Sequence, residues 1–285
     1  MSKAFTVLPM SQDIYLEAGK TFEGSITVAN PADSKDDFYY SVSVSPYSVV
    51  DQDYTADLVT ESDRSAIVKW IEIENPTGVI KPNESVKVNF KINVPIDAPS
   101  GGQYAALGVR SNDEMAEQNG VSVQNVFELA SLILGNVAGE TVHDGQILEN
   151  NIPGFITNGA PVVTTLLKND GNVHESASVV IEVKNAFTGE RIFPKDDQNN
   201  VFSEIIMPGS TRFVSRSLED VPALGFYTVT QNVSFLGQAS DNTILMISCP
   251  IWFLVLFIIT VGAVIGGGAA LISRKLHARN REKAL

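Results

Sequence analysis

Cysteine is almost missing from this chain: Cys249 is the only one among 285 residues. No disulfide can staple it, which excludes the small cross-linked frameworks of secreted animal domains. The part ahead of Cys249 has none and is large enough to rely on its own core instead, a composition that suits a bacterial surface. Histidine is nearly as scarce, with three copies. His143 and His174 lack the His-x-x-x-His or Glu-x-x-His spacing of a metal site. His174 follows a turn, so its ring is predicted to face solvent. Gly-x-Ser-x-Gly, phosphate-loop and EF-hand patterns are lacking too. No catalytic residue, cofactor or metal is therefore expected. The acid pairs Asp36–Asp37, Asp51–Asp53 and Asp196–Asp197 read as solvated loop charge.

Positive charge is also short: 20 Lys and Arg stand against 33 Asp and Glu, a net of −13. Five of those bases (Arg274, Lys275, Arg279, Arg281 and Lys283) crowd the last twelve residues beside one acid, Glu282. Fifteen bases and thirty-two acids, a net of −17, are left for residues 1–273. Such a surface argues against nucleic acid and against adhesion to an anionic membrane.

The one long stretch without formal charge runs from Asn242 to Ser273, thirty-two residues. Its apolar center, Ile251–Ile272, is 22 residues long; as a helix it measures roughly 33 Å, enough for a hydrocarbon layer of about 30 Å. In lipid every backbone amide must be bonded within the segment, so it has to be helical. Residues 250–273 are predicted to cross a membrane once, with 274–285 as a basic cytoplasmic tail, because Lys and Arg beside a span stay inside. Trp252 at the outer end and Arg274 and Lys275 at the inner end are the expected anchor residues. Gly262 and Gly266 form a small-xxx-small pair that could seat a second helix. The N-terminal domains are then extracytoplasmic. Met1–Phe5 carries no apolar export core, so a signal peptide is expected to have been removed.

Ahead of the span no amphipathic helix is convincing, and period-two alternation dominates. Phe22, Ile26 and Val28 share one face of a strand; so do Phe38, Tyr40, Val42 and Val44; and Val86, Val88, Phe90, Ile92 and Val94 give the cleanest case. Ile67–Glu74 reads as a further strand, and Ser111–Gly120 as a polar loop. A second set follows over Pro161–Asn169, Ala177–Asn185, Arg191–Phe193, Val201–Met207, Arg212–Ser217 and Phe226–Leu236. The two sets share a plan. Each has a strand ending in Asn (Asn30, Asn169) and a Pro turn before a long strand (Pro82, Pro208). Each then has a Gly two residues before a strand Tyr (Gly102 and Tyr104; Gly225 and Tyr227). Many short strands with regular turn signals predict an all-β chain: two tandem immunoglobulin-like β-sandwiches, 4–140 and a smaller 145–240, followed by one C-terminal transmembrane helix. Tyr47 and Tyr54, which flank a polar loop, are the candidate ligand contacts.

Glu17-Ala-Gly-Lys-Thr-Phe-Glu-Gly-Ser-Ile-Thr-Val-Ala-Asn, Ile80-Lys-Pro-Asn-Glu-Ser and the Gly-Gly-Gln-Tyr at 101–104 resemble the bacterial WxL-interacting surface proteins. The wider outline is similar to pilus-chaperone-like sandwiches. The first resemblance implies a non-enzymatic, membrane-anchored surface protein that binds peptidoglycan or a surface protein. The alternative is an assembly factor that accepts a client strand at a sheet edge. No Leu-Pro-x-Thr-Gly precedes the span, so sortase attachment is not expected.

Overall fold

The computed structural model describes residues 5–111, 116–118, 121–123, 128–195 and 200–282, with side chains for 5–111, 128–195 and 200–273. Asp196, Asp197 and Lys283 fall outside the described residues.

Among the described residues thirteen strands build the first unit: β1 (Thr6–Leu8), β2 (Ser11–Leu16), β3 (Thr21–Ala29), β4 (Phe38–Pro46), β5 (Ser48–Val50), β6 (Thr55–Asp57), β7 (Ile71–Ile73), β8 (Thr77–Ile80), β9 (Ser85–Asn93), β10 (Gly101–Ser111), β11 (Ala116–Gln118), β12 (Val121–Val123) and β13 (Glu128–Val137). One sheet runs β1-β3-β9-β7 and the other β2-β13-β10-β4-β8. Between them lies one core, to which β3 gives Ile26 and Val28, β4 gives Phe38, Tyr40 and Val42, β9 gives Val88, Phe90 and Ile92, and β13 gives Ile133 and Val137. The alternation read in β9 holds for its center: Lys87, Asn89 and Asn93 are exposed and Val88, Phe90 and Ile92 buried, while Val86 and Lys91 are half-buried.

One expected strand is corrected. Asp63–Lys69 forms a tight 3₁₀ stretch, and only Ile71–Ile73 is extended. A reciprocal cap starts it: Arg64 N donates to Ser62 Oγ at 3.3 Å, and Ser62 N donates to Ser65 Oγ at 2.8 Å. That local bonding competes with a sheet ladder, and it buries Ile67 completely.

Among the described residues nine strands build the second unit: β14 (Gly145–Asn151), β15 (Phe155–Ile156), β16 (Val162–Asn169), β17 (Glu175–Asn185), β18 (Arg191–Phe193), β19 (Val201–Ile206), β20 (Thr211–Ser217), β21 (Gly225–Phe235) and β22 (Gln238–Ser248). A three-stranded sheet, β14-β16-β20, faces a larger one in which β15-β22-β21-β17 continues to β18 and β19, both on β17. Val179, Ile181, Val183, Val229, Val233 and Met246 fill the space between. β22 carries the second unit past 240, where the sequence pattern ended it. Its Ile244, Met246 and Ser248 alternate inward and the whole strand pairs with β21, but its uncharged residues from Asn242 merge with those of the helix that follows.

That helix, α1 (Ile251–Glu282), includes Ile251–Ser273, long and apolar enough to cross a membrane and unburied by the rest of the chain.

The repeated plan has a physical basis. Asn30 donates from Nδ2 to Asp36 O and Ile80 O, both at 3.0 Å. Asn169 likewise donates to Val173 O at 2.8 Å and Ile206 O at 2.9 Å. Both amides are buried, and each satisfies carbonyls that would otherwise be costly to bury. The glycines serve the tyrosines: a Cβ on Gly102 or Gly225 would strike the hydroxyl of Tyr104 or Tyr227 at 2.0 and 2.4 Å.

Candidate functional site

The densest polar chemistry lies where the two units meet. The β5–β6 hairpin carries Tyr54 toward the second unit. Asp51 orders its turn, accepting from Asp53 N at 3.1 Å on Oδ1 and from Thr55 Oγ1 at 3.1 Å on Oδ2. Tyr54 itself sits at φ 62, a left-handed conformation that costs a non-glycine residue about 1–3 kcal/mol. Its contacts offset this. The hydroxyl accepts from Met207 N at 2.9 Å and shares a short bond with Ser210 Oγ, which donates onward to Met207 O at 2.7 Å. The Arg212 guanidinium stacks 4.6 Å above the ring.

Arg212 is held in turn. It donates to Ile205 O at 2.7 Å and pairs with Glu204 at 2.7 Å; Arg216 meets the other oxygen of the same carboxylate. Glu204 is 4 % exposed, and two guanidiniums compensate its buried charge.

A second contact surrounds Asn172. Its carbonyl accepts from Gly102 N at 2.8 Å and from Arg64 Nη1 at 2.6 Å, both in the first unit. Its side chain accepts from Val142 N at 2.7 Å and donates to Glu140 O at 3.0 Å, fixing the connecting segment. Beside it Tyr104 is buried, its hydroxyl 3.4 Å from His174 Nδ1. His174 Nε2 lies 3.3 Å from Asp13 Oδ2. Burial pushes the Tyr104 phenol well above its ordinary range, and raises Tyr47 and Tyr54 less strongly.

Between these contacts a cleft of about 530 Å³ opens, lined by Met10, Ser11, Tyr47, Tyr54, Leu132, Leu134, Met207 and Arg212. At its lip a sheet edge is uncovered. β2 pairs with β13 only from Leu132 to Val137, and Leu132 N donates to Met10 O at 2.9 Å. Alternate residues of a strand point their amide groups to the same side. Those of Glu128 and Ala130 therefore face the side where β2 is absent, and no partner strand lies there among the described residues.

The structure thus brings Tyr47 and Tyr54 together in one cleft, both half-buried. Trp252 is exposed on the first turn of α1, edge-on to Phe253 at 5.8 Å; Arg274 and Lys275 fall in its later turns. His174 is corrected: its side chain is 8 % exposed, covered by the first unit rather than by solvent. Glu204, Arg212 and Asn172 were not singled out from sequence. A signal existed for two of them. Glu204 keeps phase with Phe202 and Ile206, and Arg212 with buried Val214, which sets charges among inward-facing positions.

No family model and no curated protein matches the chain. Solved structures do. The class 5 fimbriae chaperone CfaA matches at 13 % identity and TM-score 0.39, over 86 % of this chain and 99 % of that one. A chain from the Salmonella enterica SafA pilin–SafB chaperone complex matches at 12 % identity and 0.40, over 87 % and 98 %. The E. coli chaperone DraB matches at 11 % and 0.39, over 85 % and 96 %. The main expectation, a surface protein binding peptidoglycan or another surface protein, is not met among these neighbors, which are named as a fimbriae chaperone, a pilin–chaperone complex and a chaperone. The resemblance to WxL-interacting proteins finds no support among them.

Proposed function

We propose that this chain is a non-enzymatic assembly factor: two immunoglobulin-like sandwiches, 4–140 and 145 onward, that take a strand of a client protein at an open sheet edge. Supporting the immunoglobulin-like reading are the pairing of β3 with β9 in one sheet and the run β13-β10-β4 in the facing one, as in a Greek-key sandwich.

The observation that carries the function is the uncovered half of β13. A strand edge with unpaired N–H and C=O groups is a template for another strand unless it is blunted. Leu129, exposed beside it, offers an apolar contact. The adjoining cleft offers Tyr47, Leu132 and Met207 to alternate side chains of an incoming segment. In this reading α1 tethers the pair to a membrane, and the basic tail from Arg274 keeps the C-terminus cytoplasmic.

The test is a photo-crosslinking residue at position 129 of the full chain, in cells that produce it. A crosslink to a protein is expected, retained in Ala130→Val and lost in Ala130→Pro, since proline cannot donate to a ladder. Melting temperature checks that both variants fold. Equal crosslinking in the folded proline variant would exclude strand addition at this edge.

A further inference from the structure

The far end of the second unit carries an apolar row that its own core does not use. Ile247 on β22 pairs with Phe226 on β21 on one side and with Phe155 on β15 on the other. All three occupy the outward face, opposite to Met246 and Tyr227 of the core. Phe187, at the tip of the β17–β18 turn, extends the row, edge-on to Phe226 at 5.4 Å and 72°. Phe187 is 80 % exposed, and Phe155 and Phe226 are exposed as well. The next row up is mixed: exposed Leu245 pairs with Thr228, which pairs with Lys184, and only one row further do Thr243 and Thr230 stand beside Glu182; Lys184 and Arg191 both pair with Glu182, at 2.6 and 3.1 Å.

The chain leaves this end without slack. Cys249 N donates to Ile156 O at 2.8 Å, so Cys249 is still tied to the sheet. Pro250 O already accepts from Phe253 N at 3.0 Å and Leu254 N at 3.1 Å, so the helix begins there. Three residue steps from Ser248 to Ile251 can span at most about 11 Å. A bilayer of about 40–45 Å with a hydrocarbon layer of about 30 Å has an interfacial zone of roughly 5–8 Å on each side. If α1 crosses the bilayer from Ile251, the end of β22 lies within about 11 Å of the hydrocarbon, in that zone or at its outer edge.

We propose that the Phe155–Ile247–Phe226–Phe187 row is a membrane-contact face, seated in the interfacial zone of the bilayer that α1 crosses. It rests on the reading of α1 as a membrane span and adds that the sandwich lies against the lipid rather than swinging above it. Aromatic and aliphatic side chains with a polar row behind them are the pattern of interfacial burial. Glu182 offsets one of the two cations Lys184 and Arg191 and leaves a single net positive charge, so apolar insertion of the phenylalanine row rather than a basic patch drives the contact.

The experiment uses the full chain in phosphatidylcholine vesicles made with or without brominated acyl chains. Three proteins are compared: the unchanged chain, Trp252→Phe, and Trp252→Phe with Phe187→Trp. Trp70 is buried in the first unit and supplies a constant background. Brominated lipid should quench the unchanged chain through Trp252 and the double variant through position 187, and leave Trp252→Phe alone unaffected. Quenching of the unchanged chain without quenching at 187 overturns the contact face while leaving the span. Quenching of neither overturns the span, and the contact face with it.

Discussion

The hydroxyl of Tyr54 accepts a hydrogen bond from the backbone amide of Met207 at 2.9 Å, across 153 residues of sequence. It is one of several bonds that make the joint between the units a specific contact, with Phe213 N to Gln52 O at 2.8 Å and Gly102 N to Asn172 O at 2.8 Å beside it.

Tyr54→Phe keeps the ring under Arg212 and deletes only the hydroxyl. Met207 N then loses its partner while Ser210 Oγ keeps only Met207 O, at a cost of about 1–3 kcal/mol. Urea unfolding should show a lower midpoint than the parent. Tyr39→Phe, at an exposed position, should leave the midpoint in place. Equal midpoints for both would mean the Tyr54 bond carries no stability.

Alkali should loosen the same joint. Burial raises the Tyr47, Tyr54 and Tyr104 phenols above their ordinary value, which the unfolded chain recovers near pH 10. Above that pH the unfolded chain binds fewer protons than the folded one. The stabilization is thus complete below about pH 10 and falls as pH rises toward the folded values. Melting temperatures from pH 8 to 11 should decline at the top of the range, and less steeply in Tyr104→Phe. An unchanged slope in that variant would remove Tyr104 from the account.

Phe90 and Gly24 form a lock in the first core. They pair directly between β3 and β9, and a Cβ on Gly24 would lie 2.4 Å from the Phe90 ring. Phe90→Ala should cost about 3–5 kcal/mol, and Gly24→Ala should also destabilize because the buried ring has no room to move. Lys91→Ala removes partly exposed pairings with Glu23 at 3.4 Å and Glu74 at 3.3 Å, worth at most about 1 kcal/mol. Chemical denaturation that ranked Lys91→Ala with Phe90→Ala would contradict the register of β9.

What could be read from the sequence was whatever a single strand decides for itself. The alternation of Val88, Phe90 and Ile92 and the Gly–Tyr spacing follow from local geometry and have structural counterparts here; the Asn at two strand ends was visible only as a repeat, since its amide bonds reach Ile80 and Ile206, 50 and 37 residues away. The joint was not legible, because it depends on which surfaces meet. Nothing near Tyr54 in sequence announces Met207, and His174 after its turn looks like any surface ring. β22 was hidden for a different reason: a strand next to a membrane-type helix loses its boundary when both are uncharged. Ile67–Lys69 shows local bonding overriding pattern, since Ser62 and Ser65 start a tight turn where apolar residues suggested extension.

The contacts around Asn172 bear on how such a chain can vary over time. A tandem array joined by a loose tether can exchange one module for a relative's without harm. Here Asn172 answers to Arg64, Tyr54 to Ser210 and Gln52 to Phe213. Of these only the Tyr54–Ser210 bond joins two side chains; Arg64 reaches a backbone carbonyl, and Gln52 to Phe213 is backbone to backbone. Recombination between the two halves therefore endangers the Tyr54–Ser210 match first, and a change at either of those residues favors a matching change across the joint.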